Sequence, residues 1–155
     1  MGWLLSSPII TLSGAFLAAC AGWFATNFVA APISRFYDLR GKVHGSLVFT
    51  ANARARLPSD PRAYDDAQAE LRRLATNLSE LQQVPVPIPG WYLKLRGYDL
   101  VAASSGLIGL SNTLLSTDGS RAVNRHVVEA ALRLPLEDSP ERIERIRASW
   151  NRKSE

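Results

Sequence analysis

The chain has 155 residues, with 18 Lys and Arg, 14 Asp and Glu and 2 His, for a formal net charge of +4; that length fits one modest domain plus an anchor. A single cysteine, Cys20, excludes an internal disulfide framework and a Cys-rich metal site. The charges are unevenly placed: Met1–Ser34 contains no Asp, Glu, Lys, Arg or His, so an apolar head precedes an ordinary charged body.

The head is predicted to be a transmembrane helix. A helix rises about 1.5 Å per residue, so roughly 20 residues cross a hydrocarbon core of about 30 Å, and residues 9–31 are enough for that. Ser6, Ser7 and Pro8 supply a hydroxyl cap and a proline at the helix start. Trp3 falls near one interface, and Trp23, Phe24 and Phe28 towards the other. Within the head, Leu17-Ala18-Ala19-Cys20 has the form of a lipoprotein cleavage site. A secretory signal wants a positive start, a short apolar core and a polar mature chain. Here no Lys or Arg precedes the core, and the apolar run continues past Cys20 to Ile33. The membrane-helix reading accounts for both departures; the periplasmic lipoprotein is the less favoured alternative.

Gly14, Ala18 and Gly22 recur every four residues on one face of this helix, with Ala21 and Ala25 beside it. Small residues at that spacing let helix backbones approach in lipid, so the face is expected to pack on another transmembrane helix, of a second copy or of a larger membrane complex. Arg35, Arg40 and Lys42 follow the span directly, with Arg54 and Arg56 further on. The positive-inside rule then puts the body in the cytoplasm and the N-terminus outside a bacterial inner membrane. The three proximal cations are expected to contact anionic lipid headgroups while lying on a solvated helix face.

From Arg35 the pattern turns amphipathic. Phe36, Leu39, Val43, Leu47 and Thr50 step by three and four, so the membrane helix is expected to run on to about Asn52, bent at Pro32 and weakened by Gly41 and Gly45. A new helix is predicted after Ser59 or Asp60 as cap, with Pro61 in its first turn. Its Tyr64, Ala67, Leu71, Leu74, Leu78 and Leu81 give the strongest periodicity in the chain. The Leu71, Leu74, Leu78 and Leu81 seam is a helix-contact surface, either inside a bundle of this chain or shared with another chain.

The stretch Val84–Gly90, VPVPIPG, reads as an extended polyproline connector that lays Val86 and Ile88 on the core, with a ligand for a partner's groove as the alternative. Leu100–Thr117 is uncharged, but Ser104, Ser105, Gly106, Gly109, Ser111, Asn112 and Thr113 make it too polar for lipid on all sides. A helix buried in the domain is expected, capped near Asp99, with Leu107, Leu110 and Leu114 on one stripe; a second span is the alternative. Val123, Val127, Ala131 and Leu134 mark a further helix ended by Pro135, and Ser139-Pro140 opens the last one, with Ile143, Ile146 and Trp150 as its apolar edge. Glu141 and Glu144 offset the basic tail of Arg142, Arg145, Arg147, Arg152 and Lys153, so nucleic-acid binding is not expected.

No strand alternation is visible. The fold class is therefore all-α: an N-terminal transmembrane helix continuing into a small cytoplasmic bundle of about four to five helices. The organisation divides as 1–34 anchor, 35–58 juxtamembrane basic helix and connector, and 59–155 helical domain. No glycine-rich phosphate loop with its Lys is present, and no activated nucleophile stands beside a base. His126 and Glu129 share a helix face and read as a surface pair rather than a metal site. The expectation is a non-enzymatic, cofactor-free interaction protein: a single-pass accessory or scaffold subunit of a membrane complex, or a homo-oligomer, with lipids and other transmembrane helices as its partners. A membrane-active effector that opens a pore or lesion, inserting Leu100–Thr117, is the alternative.

Overall fold

The computed structural model describes residues 3–53, 60–83, 87–116 and 119–151. Arg54, Arg56, Ser59, Val86, Thr117, Arg152 and Lys153 lie outside the described residues, as do the side chains of Trp3, Ile9, Ile88 and Trp150. Every regular element among the described residues is helical. They are α1 (Trp3–Phe24), a π-helical segment (Ala25–Ala30), α2 (Ala31–Ala53), α3 (Pro61–Gln82), α4 (Pro87–Leu95), α5 (Leu100–Asn112), α6 (Ser120–Ala131) and α7 (Pro140–Asn151).

The first three elements form one unbroken helical run. Pro32 has no N–H to give to the carbonyl four residues back, and its ring crowds that carbonyl. The chain absorbs this by widening over Ala25–Ala30, where the Ala31 N–H bonds to the Thr26 carbonyl, five residues earlier. The irregularity expected at Pro32 is thus a π segment one turn upstream of it, one of the ordinary causes of a bend in a long helix. Asn27 turns its amide back to the Trp23 carbonyl at 2.8 Å, so the polar side chain is satisfied by its own helix.

The bundle begins on the same helix. Phe36, Leu39, Val43, Leu47 and Thr50 of α2 are all buried, at the spacing the sequence predicted. The four apolar ones meet Leu71, Leu74, Ala75 and Leu78 of α3 and Ala103, Leu107 and Leu110 of α5 in a single core. Residues 35–53 are therefore both the continuation of the apolar helix and the first helix of the bundle. α3 lies between α2 and α5, α5 between α3 and α6, and α7 closes against α6.

Local signals explain the helix ends. Asp60 caps α3 by accepting from the Arg62 and Ala63 N–H groups, with Pro61 in the first position. Asp99 caps α5 through the Ala102 N–H at 2.9 Å. Ser139 accepts from the Arg142 N–H at the start of α7. The three serines of α5 do not seek outside partners: Ser104, Ser105 and Ser111 each donate to the carbonyl three residues back. α5 can therefore be buried on the side of Leu107 and Leu110 despite its polar composition, and Leu114 just beyond it is buried too.

Two expectations need correction. The extended polyproline connector is overturned for residues 87–90, which open helix α4. Pro87 and Pro89 fall in the first turn, where the N–H groups have no intrahelical acceptor, so neither proline breaks the ladder. The stripe expected on α6 is also rotated. Val128, Ala131, Leu132 and Leu134 are buried, whereas Val123 and Val127 are only half-buried. Arg121 and Glu129 share the inward side, where Arg121 donates to the Thr50 carbonyl and Glu129 accepts from Arg125 and from the Glu137 N–H.

Candidate functional site

The predicted contact residues separate into three regions. On α1, every residue from Ser13 to Gly22 is exposed, and exposure continues through Asn27. A Cβ added at Gly14 or Gly22 would meet nothing within 4 Å. Gly14, Ala18 and Gly22 thus lie open on a stretch of helix that none of the described residues covers, beside the exposed Phe16, Leu17, Cys20 and Trp23. The helix over Ser13–Ala51 carries a stretch of mean hydropathy 1.5, none of it buried, and is long and apolar enough to span a membrane.

The predicted cations divide between surface and framework roles. Lys42 is exposed. Arg35 reaches Glu80 of α3 at 2.9 Å, an ion pair with both side chains about half exposed, of the kind worth about 0–1 kcal/mol. Arg40 donates to the Leu132 carbonyl at 2.8 Å and to the Arg133 carbonyl at 2.7 Å. Those carbonyls end α6, where a cation is favoured by the helix dipole and by unpaired acceptors. Arg40 is therefore a strut between α2 and α6.

The α6 terminus it holds has an unusual residue. The Leu134 N–H bonds to Glu129 and the Arg133 N–H to Ala130, the double closure of a Schellman motif. The position that normally takes glycine is Arg133, at φ 50°. The same motif ends α4, with Gly97 at φ 76°. The two ends face each other, since the Arg133 guanidinium donates to the Arg96 carbonyl at 2.9 Å.

The seam of Leu71, Leu74, Leu78 and Leu81 is buried within the chain, with the first three at 0% exposure. Of its two readings the intramolecular one describes the structure; a second chain could reach these residues only by unpacking the bundle.

The expected surface pair of His126 and Glu129 is overturned. Glu129 is 2% exposed and its carboxylate accepts from Arg125 Nε at 2.7 Å and from the Glu137 N–H at 3.0 Å. Arg125 also pairs with Glu137, so the buried acid belongs to a bridge between α6 and the segment before α7. His126 Nδ1 is buried without a protein partner. Beside this network a cleft of about 300 Å³ is lined by Arg121, Arg125, Glu137, Asp138, Arg142 and Ile146. Its charges are largely committed: Arg121 donates to the Thr50 carbonyl at 2.9 Å, and Arg142 pairs with Asp138. Among the described residues no group of three or more His, Cys, Asp or Glu is placed to hold a metal ion.

A third region was not anticipated. α4 packs against the π segment and α2. Pro89 and Leu93 point inward. Trp91 and Leu95, four apart on the opposite side, are 65% and 68% exposed. Around the inner edge of α4 sits an aromatic cluster: Phe36 and Tyr98 have ring centroids 4.7 Å apart, and Tyr37 and Tyr98 6.3 Å. Hydrogen bonding to Tyr92 holds the Tyr37 phenol below its ordinary value, and the same contact holds Tyr92 above its own. The signal for α4 was present as Trp and Leu spaced by four, but the prolines argued against any helix there. No protein-family model, no curated protein and no solved structure matches this chain.

Proposed function

We propose that the chain is a non-enzymatic, membrane-anchored interaction protein: an accessory or scaffold subunit of a membrane complex, or a homo-oligomer. Residues 9–31 would cross a bacterial inner membrane, with the bundle on the cytoplasmic side. One observation carries this reading. An uncharged, largely apolar helix that none of the described residues covers passes without a break into the core helix of a packed bundle. Removing side chains such as Phe16, Leu17 and Trp23 from water is worth about 1.5–3 kcal/mol each, so the exposed run wants lipid or other helices around it. The open Gly14, Ala18 and Gly22 face suits close approach of a second helix. Arg35, Arg40 and Lys42 after the span support the cytoplasmic side for the bundle. No reaction is assigned, because the sequence offers neither a phosphate loop nor a nucleophile paired with a base.

The test uses the full chain in cells. It should stay with membranes through an alkaline carbonate wash, and a reporter active only in the periplasm, fused after Glu155, should stay silent. Intact mass should give a chain that does not start at a lipid-modified Cys20. Release by carbonate would remove the anchor, strong reporter activity would reverse the orientation, and an acylated Cys20 terminus would make the chain a periplasmic lipoprotein. The lesion-forming alternative requires α5 to insert, which means exposing Leu107 and Leu110 from the core; added protein is expected to leave dye-loaded liposomes intact.

A further inference from the structure

We propose that α4 is an interfacial helix: its outer edge, Trp91 and Leu95, lies in the headgroup region of the bilayer and seats the bundle against the membrane surface. The proposal rests on the membrane-anchored reading above and adds a second contact to it.

Three observations lead to this. The first is position. α4 runs beside Ala25–Ala30, which still belongs to the uncharged part of the chain, and beside α2, where Arg35 is the first charge. If residues 9–31 span the bilayer, α4 lies at the level where the span leaves it. The second is the pattern of faces. An ordinary surface helix turns its apolar stripe to the core and a polar stripe to water. α4 buries Pro89 and Leu93 yet presents Trp91 and Leu95 on the far side, and Lys94 is its one charge. A nine-residue helix that is apolar on both sides has a second apolar neighbour to meet. The third is the chemistry at its rim. Trp and Tyr concentrate at membrane interfaces, where an apolar ring body and a polar tip are both accommodated. Trp91, Tyr92, Tyr98 and Tyr37 gather here, with Lys94 and Arg96 flanking Leu95. Long cationic side chains at such a site can reach headgroup phosphates while their stems stay against apolar surface.

The consequence is mechanical. A single helix fixes how deep the chain sits but leaves that helix, and the bundle continuous with it, free to tilt in the bilayer. A second contact through α4, which is packed on the same helix, fixes which side of the bundle faces the bilayer and which faces the cytoplasm.

The experiment is spin labelling of the full chain in nanodiscs of phosphatidylcholine and phosphatidylglycerol. In a Cys20→Ser background, single labels are placed through Leu95→Cys and, separately, Leu17→Cys. Both native side chains are more than two-thirds exposed, so neither exchange disturbs packing. Collision with oxygen, which concentrates in lipid, is compared with collision with a water-soluble nickel chelate. The label at 17 should be rich in oxygen contact and poor in nickel contact, and the label at 95 should share that signature at a shallower depth. Lipid contact at 17 with full nickel access at 95 overturns the α4 proposal and leaves the anchor standing. Nickel access at both positions overturns the anchor, and the α4 proposal with it. A label at 95 shielded from both reagents means that protein covers this face, either a second copy or a partner subunit, and the lipid assignment is wrong.

Discussion

Gly106 and Gly45 offer a matched pair that isolates one tertiary contact. Both are helical glycines, so exchange for Ala relieves the same conformational cost, about 0.5–1 kcal/mol. At Gly45, on the exposed side of α2, an added Cβ meets nothing within 4 Å. Gly45→Ala should therefore stabilise by about 0.5–1 kcal/mol. At Gly106 the added Cβ would stand 2.8 Å from Val128 Cγ2, 3.2 Å from Val127 Cγ1 and 3.3 Å from the Asn124 carbonyl oxygen. These are neighbours on α6, two of them stiff β-branched side chains and one backbone. Forcing a methyl into such a site costs about 1–3 kcal/mol. The propensity gain offsets part of this, so Gly106→Ala should be neutral to destabilising by about 2 kcal/mol. The two variants should differ by roughly the overpacking cost alone. Chemical denaturation of the full chain in mild detergent, followed by circular dichroism, measures the midpoints. A double cycle with Val128→Ala adds a second reading: removing the methyl that clashes should rescue Gly106→Ala, with a coupling of about 0.5–3 kcal/mol. If both alanine variants shift the midpoint by the same amount in the same direction, α5 and α6 do not approach at Gly106, and the packing described above is wrong there.

Arg40→Met keeps the apolar stem but removes both bonds to the α6 terminus, and should cost about 1.5–3 kcal/mol in the same denaturation assay, as charged hydrogen bonds do; no loss would return Arg40 to a purely lipid-facing role. The Glu141 carboxyl is held below its ordinary value by its own backbone N–H at the start of α7, then by the Ser139 hydroxyl. Its contribution is therefore present above the unfolded-state value and lost as pH falls through the lower folded-state one. Glu141→Gln should remove that part of the acid-side loss, read as a flatter dependence of α7 hydrogen exchange on pH; an unchanged dependence would mean that the cap carries no charge preference. Gly14→Leu with Gly22→Leu should still reach the membrane yet lose the oligomer or co-purifying partner, measured by mass in detergent. Survival of the complex at its original size would place association on the bundle's exposed surface, since Leu71, Leu74, Leu78 and Leu81 are enclosed.

Spacing alone made much of this chain legible. The uncharged Met1–Ser34 head, the three- and four-residue steps of Phe36 to Thr50 and the seam on α3 are properties of neighbours along one helix, and a helix shows them whatever it packs on. Caps at Asp60, Asp99 and Ser139 are equally local, because the side chain that satisfies an orphan N–H lies within three residues of it. The tertiary structure decided what depends on distant segments. It turned Arg40 from a surface cation into a strut, since only folding brings the α6 carbonyls to α2. It buried Glu129 beside Arg125, a pairing that is tolerable only where both charges are satisfied together. It selected the intramolecular partner for the Leu71–Leu81 seam, which periodicity leaves open because a leucine stripe fits any apolar groove. It also placed α4 against the π segment, with Trp91 and Leu95 turned outward: the prolines spoke for an extended chain, and only the burial of Pro89 and the packing of Leu93 on the core show why a helix forms there.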